Sequence, residues 1–144
     1  MKFRTAYPAD LPALAAIERL QPRCAQWGET EWKTELADRA ACVFCAEENG
    51  RVLGFVSLRL AVDIGEILNV GVDPSVLRRG IAEQLVEQAL SWAREHGGKQ
   101  ITLEVAATNL PAVRLYQKAG FVQVGARKKF YANNEDALIM GRAL

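Results

Sequence analysis

The chain has 144 residues, half of them hydrophobic and about a quarter charged, with 18 basic against 17 acidic side chains for a formal net charge of +1. That length fits one domain, residues 1–144, able to bury a core without disulfides or metal, and the near-neutral balance argues against a nucleic-acid binder, so any basic patch must be local. No apolar stretch reaches the ~18 residues of a membrane helix and Met1-Lys2-Phe3-Arg4-Thr5 lacks a signal-peptide core, so a cytoplasmic protein with no membrane partner is expected.

Lys2 to Ala6 reads as a short strand. Asp10 then reads as an N-cap, with Pro12 in the first turn of a helix whose Leu11, Leu14, Ile17 and Leu20 share one face. Trp27, Gly28 and Thr30 introduce a second short helix carrying Trp32 and Leu36. Ala41 to Glu47 and Val52 to Leu60 are strand-like and joined by Asn49-Gly50, a strong hairpin signal. Cys42 and Cys45 form a C-x-x-C inside the first of these strands, where an i, i+3 pair points to opposite faces. With no second cysteine pair, and with a total of three counting Cys24, they read as buried structural thiols in a reducing compartment, and no metal is expected.

A third strand from about Glu66 to Val72 completes an antiparallel meander and feeds Arg78-Arg79-Gly80-Ile81-Ala82, directly before a helix that runs from about Gly80 to Glu95. This is the most informative stretch of the chain. A strand that turns tightly into a helix N-terminus leaves backbone N–H groups without intrahelical partners, and the helix dipole adds partial positive charge there, so the turn reads as an anion cradle. Gly80 and Ala82 let a ligand approach the backbone, and Arg78 and Arg79 add attraction for phosphate. Neither the P-loop nor the dinucleotide fingerprint is present, which argues against ATP, GTP or NAD by the usual routes.

Ile81, Leu85, Ala89 and Trp92 form one stripe of that helix, with Ala82, Val86 and Ala93 beside it, and Gly97-Gly98 ends it. Ile101, Leu103 and Val105 alternate with Thr102 and Glu104, as in a strand with distinct faces. Asn109 can cap a further helix with Pro111 in its first turn, Val113, Leu115 and Tyr116 within it, and Ala119-Gly120 at its stop. Strands near Phe121 to Gly125 and Ala137 to Met140 close the chain, and the basic run Arg127-Lys128-Lys129 between them reads as a solvated turn. The pattern is that of an α+β protein.

In order along the chain stand the cradle, Asn69-Val70-Gly71-Val72-Asp73-Pro74 before it, Leu103-Glu104-Val105, Asn109, Leu115-Tyr116 with Gly120-Phe121, and the tail from Lys129-Phe130-Tyr131 through Glu135-Asp136-Ala137-Leu138-Ile139-Met140. With these motifs the chain resembles the GNAT superfamily of N-acetyltransferases, and within it the RimI-type protein N-terminal acetyltransferases, over essentially its whole length. The resemblance implies a mixed, mostly antiparallel sheet with helices on both faces and a V-shaped acetyl-CoA cleft. It implies that Val70, Gly71 and Val72 pair with the pantetheine arm and that Arg78, Arg79, Gly80, Ile81, Ala82 and Glu83 meet the pyrophosphate, mainly through backbone N–H groups. The chain departs from the family pattern at Leu77, which replaces a polar first position of the cradle motif, and at Ala106, where the family often carries Arg.

Acetyl transfer to an amine needs a neutral nucleophile, stabilisation of developing negative charge and a proton for the leaving thiolate. An α-amino group, with a reference pKa of about 7.7 to 8.0, is partly neutral at cellular pH, whereas a lysine near about 10.4 is not, so a modest base suffices for an N-terminus. Glu104, on the polar side of its strand, is the candidate base, and the resemblance puts the catalytic glutamate there. Tyr116 is the candidate acid. Asn109 can both cap its helix and face the cofactor, and Trp27 and Tyr131 are substrate-groove walls by family position. The reading is an acetyl-CoA-dependent enzyme acting on the N-terminal amine of a protein or peptide, a ribosomal protein among the implied acceptors. A small-molecule amine acetyltransferase and a non-catalytic acyl-CoA sensor remain as alternatives, and the oligomeric state is open.

Overall fold

The structure, a computed structural model, describes residues 1–21, 26–129 and 134–144. Strand β1 (Lys2–Thr5) leads through a single 3-10 turn at Pro8–Asp10 into helix α1 (Leu11–Arg19), followed by α2 (Gly28–Ala37). Strands β2 (Ala41–Glu48), β3 (Arg51–Ala61) and β4 (Ile64–Val72) form the expected meander. Asn49 and Gly50 both take positive φ, 53° and 77°, as a two-residue hairpin turn that follows the strand twist requires. Helix α3 (Ile81–Glu95), strand β5 (Gln100–Ala106), helix α4 (Leu110–Lys118) and strands β6 (Val122–Arg127) and β7 (Ala137–Ala143) complete the described elements. Among the described residues no helix is long and apolar enough to cross a membrane.

The seven strands make one sheet in the order β1-β2-β3-β4-β5-β7-β6, antiparallel throughout except for the β4–β5 pair. That parallel pairing is short, running only from Ile64 opposite Gln100 to Ile67 opposite Leu103. Beyond it β4 stays with β3 as far as Val72, and β5 stays with β7 as far as Ala106, so the two central strands part. The separation starts at an irregularity in β4: Ser57 of β3 lies opposite Asn69 and Leu58 opposite Ile67, which leaves Leu68 as an extra residue. A bulge of this kind bends its strand and adds local twist. The sheet is thereby opened at its centre.

Helices α1 and α2 cover one face of the N-terminal half, where Leu14, Ala15, Ile17 and Trp32 pack with Val43 and Phe55. Helices α3 and α4 lie on the other, where Leu85, Val86, Ala89 and Leu90 pack with Val56, Leu58, Ile67, Leu103, Val105 and Tyr116. The alternation of Phe55 with Val56 divides β3 between the two clusters. Cys42 and Cys45 are both buried and free, and burial pushes each thiol up to about 11. Cys24 lies outside the described residues.

Two local expectations are corrected. Asp10 does not cap α1: its carboxylate accepts the Tyr7 N–H at 2.6 Å and both terminal nitrogens of Arg4, at 2.8 and 3.0 Å, because a 3-10 turn precedes the helix and claims the side chain. Leu20 does not belong to the core face of α1 and is 56% exposed, while the buried side is Leu14, Ala15, Ile17 and Glu18. In α3, Leu90 is fully buried, whereas Trp92 is half-buried and stacks on His96 with ring centroids 4.4 Å apart.

Candidate active site

The gap between β4 and β5 is walled on one side by main chain. Asp73 N–H donates to Leu53 C=O at 2.8 Å, so by the two-residue alternation Gly71 also faces β3 while the N–H and C=O groups of Val70 and Val72 are aimed into the gap. The Val72 carbonyl accepts a hydrogen bond of 2.8 Å from Gln21 Nε2, which also donates to Ile17 C=O. Gly71 is required by packing: a Cβ there would lie 2.7 Å from Phe55 Cε1 and 2.8 Å from Cζ.

The cradle follows β4 and is held at both ends by the β2–β3 hairpin. Asp73 Oδ1 accepts the Ser75 N–H at 2.9 Å, the chief reason its carboxyl lies below the usual range, and Oδ2 pairs with Arg51. Arg79 pairs with both oxygens of Glu48, at 2.7 and 3.3 Å. Its guanidinium is thus engaged by the hairpin, while Arg78 is exposed and makes no ion pair among the described residues. Gly80, at φ 76°, is the residue before α3, and no side chain caps the helix there. The first-turn N–H groups of Ile81, Ala82 and Glu83 therefore face the cradle at the positive end of a helix of 15 residues. A Cβ on Gly80 would meet nothing within 4 Å, so the space over the turn is open. The Glu83 carboxylate turns to Lys118 Nζ of α4, 3.1 Å away, and Leu77 projects outward.

On the other side of the gap, Leu103 and Val105 point to the α3–α4 core and Glu104 to the opposite face. The Glu104 side chain is 33% exposed, and its Oε1 lies 3.2 Å from the guanidinium of Arg127. Tyr116 is buried on the α3–α4 side, its ring edge-on to Phe121 with centroids 5.8 Å apart, and its main-chain carbonyl accepts the Phe121 N–H at 2.9 Å. Glu104 and Tyr116 therefore lie on opposite faces of the sheet. Asn109 caps α4 with a long bond of 3.4 Å from Ala112 N–H to Oδ1. Trp27 is half-buried and packs edge-on against Trp32, which packs edge-on against Phe55 under Gly71. Tyr131 lies outside the described residues.

Three features of the site were not read from the sequence. Glu18, 1% exposed, accepts from Gly28 N–H and Trp32 Nε1, both at 3.1 Å, and from Asn69 Nδ2 at 2.8 Å, tying α1 and the start of α2 to β4 at the bulge. Its signal was present in the spacing Leu11, Leu14, Ala15, Glu18, a full i, i+3, i+4, i+7 face with a carboxylate at its end. Gln21 and Arg127 carry no such signal. Arg127 belongs to β6 and is not a solvated turn residue, because its partner Glu104 lies two strands away on the same face.

Comparison with known proteins agrees with this fold. The [ribosomal protein bS18]-alanine N-acetyltransferase of Escherichia coli strain K12 is 30% identical over 134 residues, 91% of this chain and 89% of that protein. An N-alpha-acetyltransferase of Sulfurisphaera tokodaii is 30% identical over 122 residues, 76% of this chain and 73% of that protein. The crystal structure of the ribosomal-protein-S18-alanine N-acetyltransferase from Escherichia coli superposes with a TM-score of 0.88 at 27% identity, covering 99% of this chain and 92% of that one. The profile of the Acetyltransferase (GNAT) family matches residues 10–121, and with the mixed sheet that opens between β4 and β5 this shows that the chain belongs to the GNAT family of acetyltransferases.

Proposed function

We propose that this enzyme transfers an acetyl group from acetyl-CoA to the N-terminal α-amino group of a protein or peptide, a ribosomal protein among the candidates. The observation that carries the reading is the β4–β5 gap with Glu104 on one face and Tyr116 on the other. It is supported by relatives named for acetylation of N-terminal amines. Retention of both an acid and a base weighs against a sensor that only binds.

The residues present fit acetyl-CoA. The uncapped start of α3, the open space over Gly80 and the exposed Arg78 suit a pyrophosphate, bound through the N–H groups of Ile81, Ala82 and Glu83. The gap-facing edge of β4 at Val70 and Val72, where Gln21 holds the Val72 carbonyl, suits an amide-bearing arm laid alongside it. Gly71 contributes by letting Phe55 pack close beneath that strand, and Asn109 by capping α4. When bound, acetyl-CoA supplies a thioester carbonyl for attack by the amine. Glu104 takes the proton that the amine sheds, directly or through a water, and the Tyr116 hydroxyl donates a proton to the departing thiolate. Trp27 forms part of the acceptor wall.

The test is thiol release from acetyl-CoA across N-terminal peptides, lysine peptides and small amines, with mass spectrometry locating the acetyl group. Modification of the α-amino group is expected. Modification of lysine alone, or far faster turnover of a polyamine than of every peptide, overturns the acceptor, and tight binding without turnover on any amine makes the protein a sensor.

A further inference from the structure

The basic run at the end of β6 has one member, Arg127, placed on the candidate base. Glu104 lies opposite Ile139 of β7 and Ile139 opposite Gly125 of β6, so Arg127, two residues beyond Gly125, shares the face of Glu104 and reaches it across β7. Asp136 Oδ1 accepts the Lys129 N–H at 2.9 Å, and the Asp136 carbonyl accepts the Ala107 N–H at 2.9 Å, which ties the turn after β6 to the end of β5. Lys128 Nζ lies 3.4 Å from Asp136 Oδ2, so Lys128 is drawn toward the turn while Arg127 is directed to Glu104.

The Arg127 side chain is 55% exposed. An ion pair this open to water holds a fold only weakly and is displaced at little cost. An incoming amine, cationic before it loses its proton, competes for the same carboxylate oxygen. We propose that Arg127 is a positioning residue for acetyl transfer: it holds the Glu104 carboxylate at the mouth of the gap between turnovers and yields to the acceptor amine. This inference rests on Glu104 being the base. Arg127 acts through Glu104, and it does not bind the acceptor itself.

Steady-state kinetics of R127Q, R127K, E104Q and the R127Q/E104Q double variant, at saturating acetyl-CoA on the best N-terminal peptide, test it. R127Q is expected to lower kcat roughly tenfold without raising the KM for peptide, and to cost nothing further in the E104Q background, since residues acting as a unit are strongly non-additive. R127K, which restores the charge, should recover part of kcat. The affinity for acetyl-CoA and the melting temperature should stay at wild-type values, and if R127Q does not fold, R127K with its own double variant carries the same comparison. A raised KM with unchanged kcat, an equal loss with or without Glu104, or no loss while E104Q is crippled overturns the role of Arg127 alone. Full activity of E104Q instead overturns the base, and the positioning role with it.

Discussion

Replacing Gly71 by alanine puts a methyl group where Phe55 already sits. The added Cβ would lie 2.7 and 2.8 Å from two ring carbons of Phe55 and 3.2 Å from Gln21 Cγ. Phe55 has no room to retreat, being fully buried and in edge contact with Trp32 at 4.9 Å, which in turn meets Trp27 at 4.8 Å. Overpacking of a filled core costs about 1–3 kcal/mol. With an unfolding entropy of about 2.1 cal/mol/K per residue, a chain of this length loses about 3 °C of Tm per kcal/mol, so a drop of about 3–10 °C is expected. The displaced ring also pushes on Trp32 and Trp27, so peptide KM should rise along with the loss of stability. A second substitution, Phe55→Leu, removes the colliding ring atoms, and the double variant should lose less than the two single variants predict. Thermal melts of the four proteins measure this. An unchanged Tm for Gly71→Ala, or strict additivity with Phe55→Leu, refutes the packing argument.

Gly80→Glu places bulk and negative charge in the cradle and should abolish acetyl-CoA binding by calorimetry in a protein that still melts cooperatively; unchanged affinity rejects the pyrophosphate assignment. Glu104→Gln and Tyr116→Phe should each slow turnover by roughly 10²- to 10⁴-fold with little change in acetyl-CoA affinity, and higher pH should partly rescue Glu104→Gln because the neutral fraction of the amine grows. The Arg4 guanidinium, with the Tyr7 N–H, holds the Asp10 carboxyl below its usual range. Its folded pKa is thus lower than its unfolded one, so the stabilisation is present above pH ~4 and is lost as pH falls through the folded value. Melts should show wild type and Asp10→Asn converging on acidification, whereas parallel curves would contradict the ion pair. Burial raises the thiols of Cys42 and Cys45 to about 11, so in a Cys24→Ser background a thiol reagent at pH 8 should label the native protein far more slowly than the unfolded one.

Features set by neighbouring residues were legible in the sequence alone. Asn49-Gly50 fixed a hairpin because two consecutive positive φ angles suit few other pairs. Gly80 before an amphipathic run marked the start of α3, and the alternation in β5 separated Glu104 from Leu103 and Val105. What spacing could not supply was anything that depends on how distant segments register. The bulge at Leu68, which opens the sheet, has no local mark: it is defined only by the register of β4 against β3. Leu20 looked like a core residue until α2 and β4 supplied hydrogen-bond donors that made Glu18 the better one to bury. Gln21 reached Val72, and Arg127 reached Glu104, only after the helix and the sheet had been assembled. A chain's local stereochemistry chooses its turns, helices and strand faces, whereas the partners of its polar side chains are chosen by which segments tertiary packing brings within hydrogen-bonding reach.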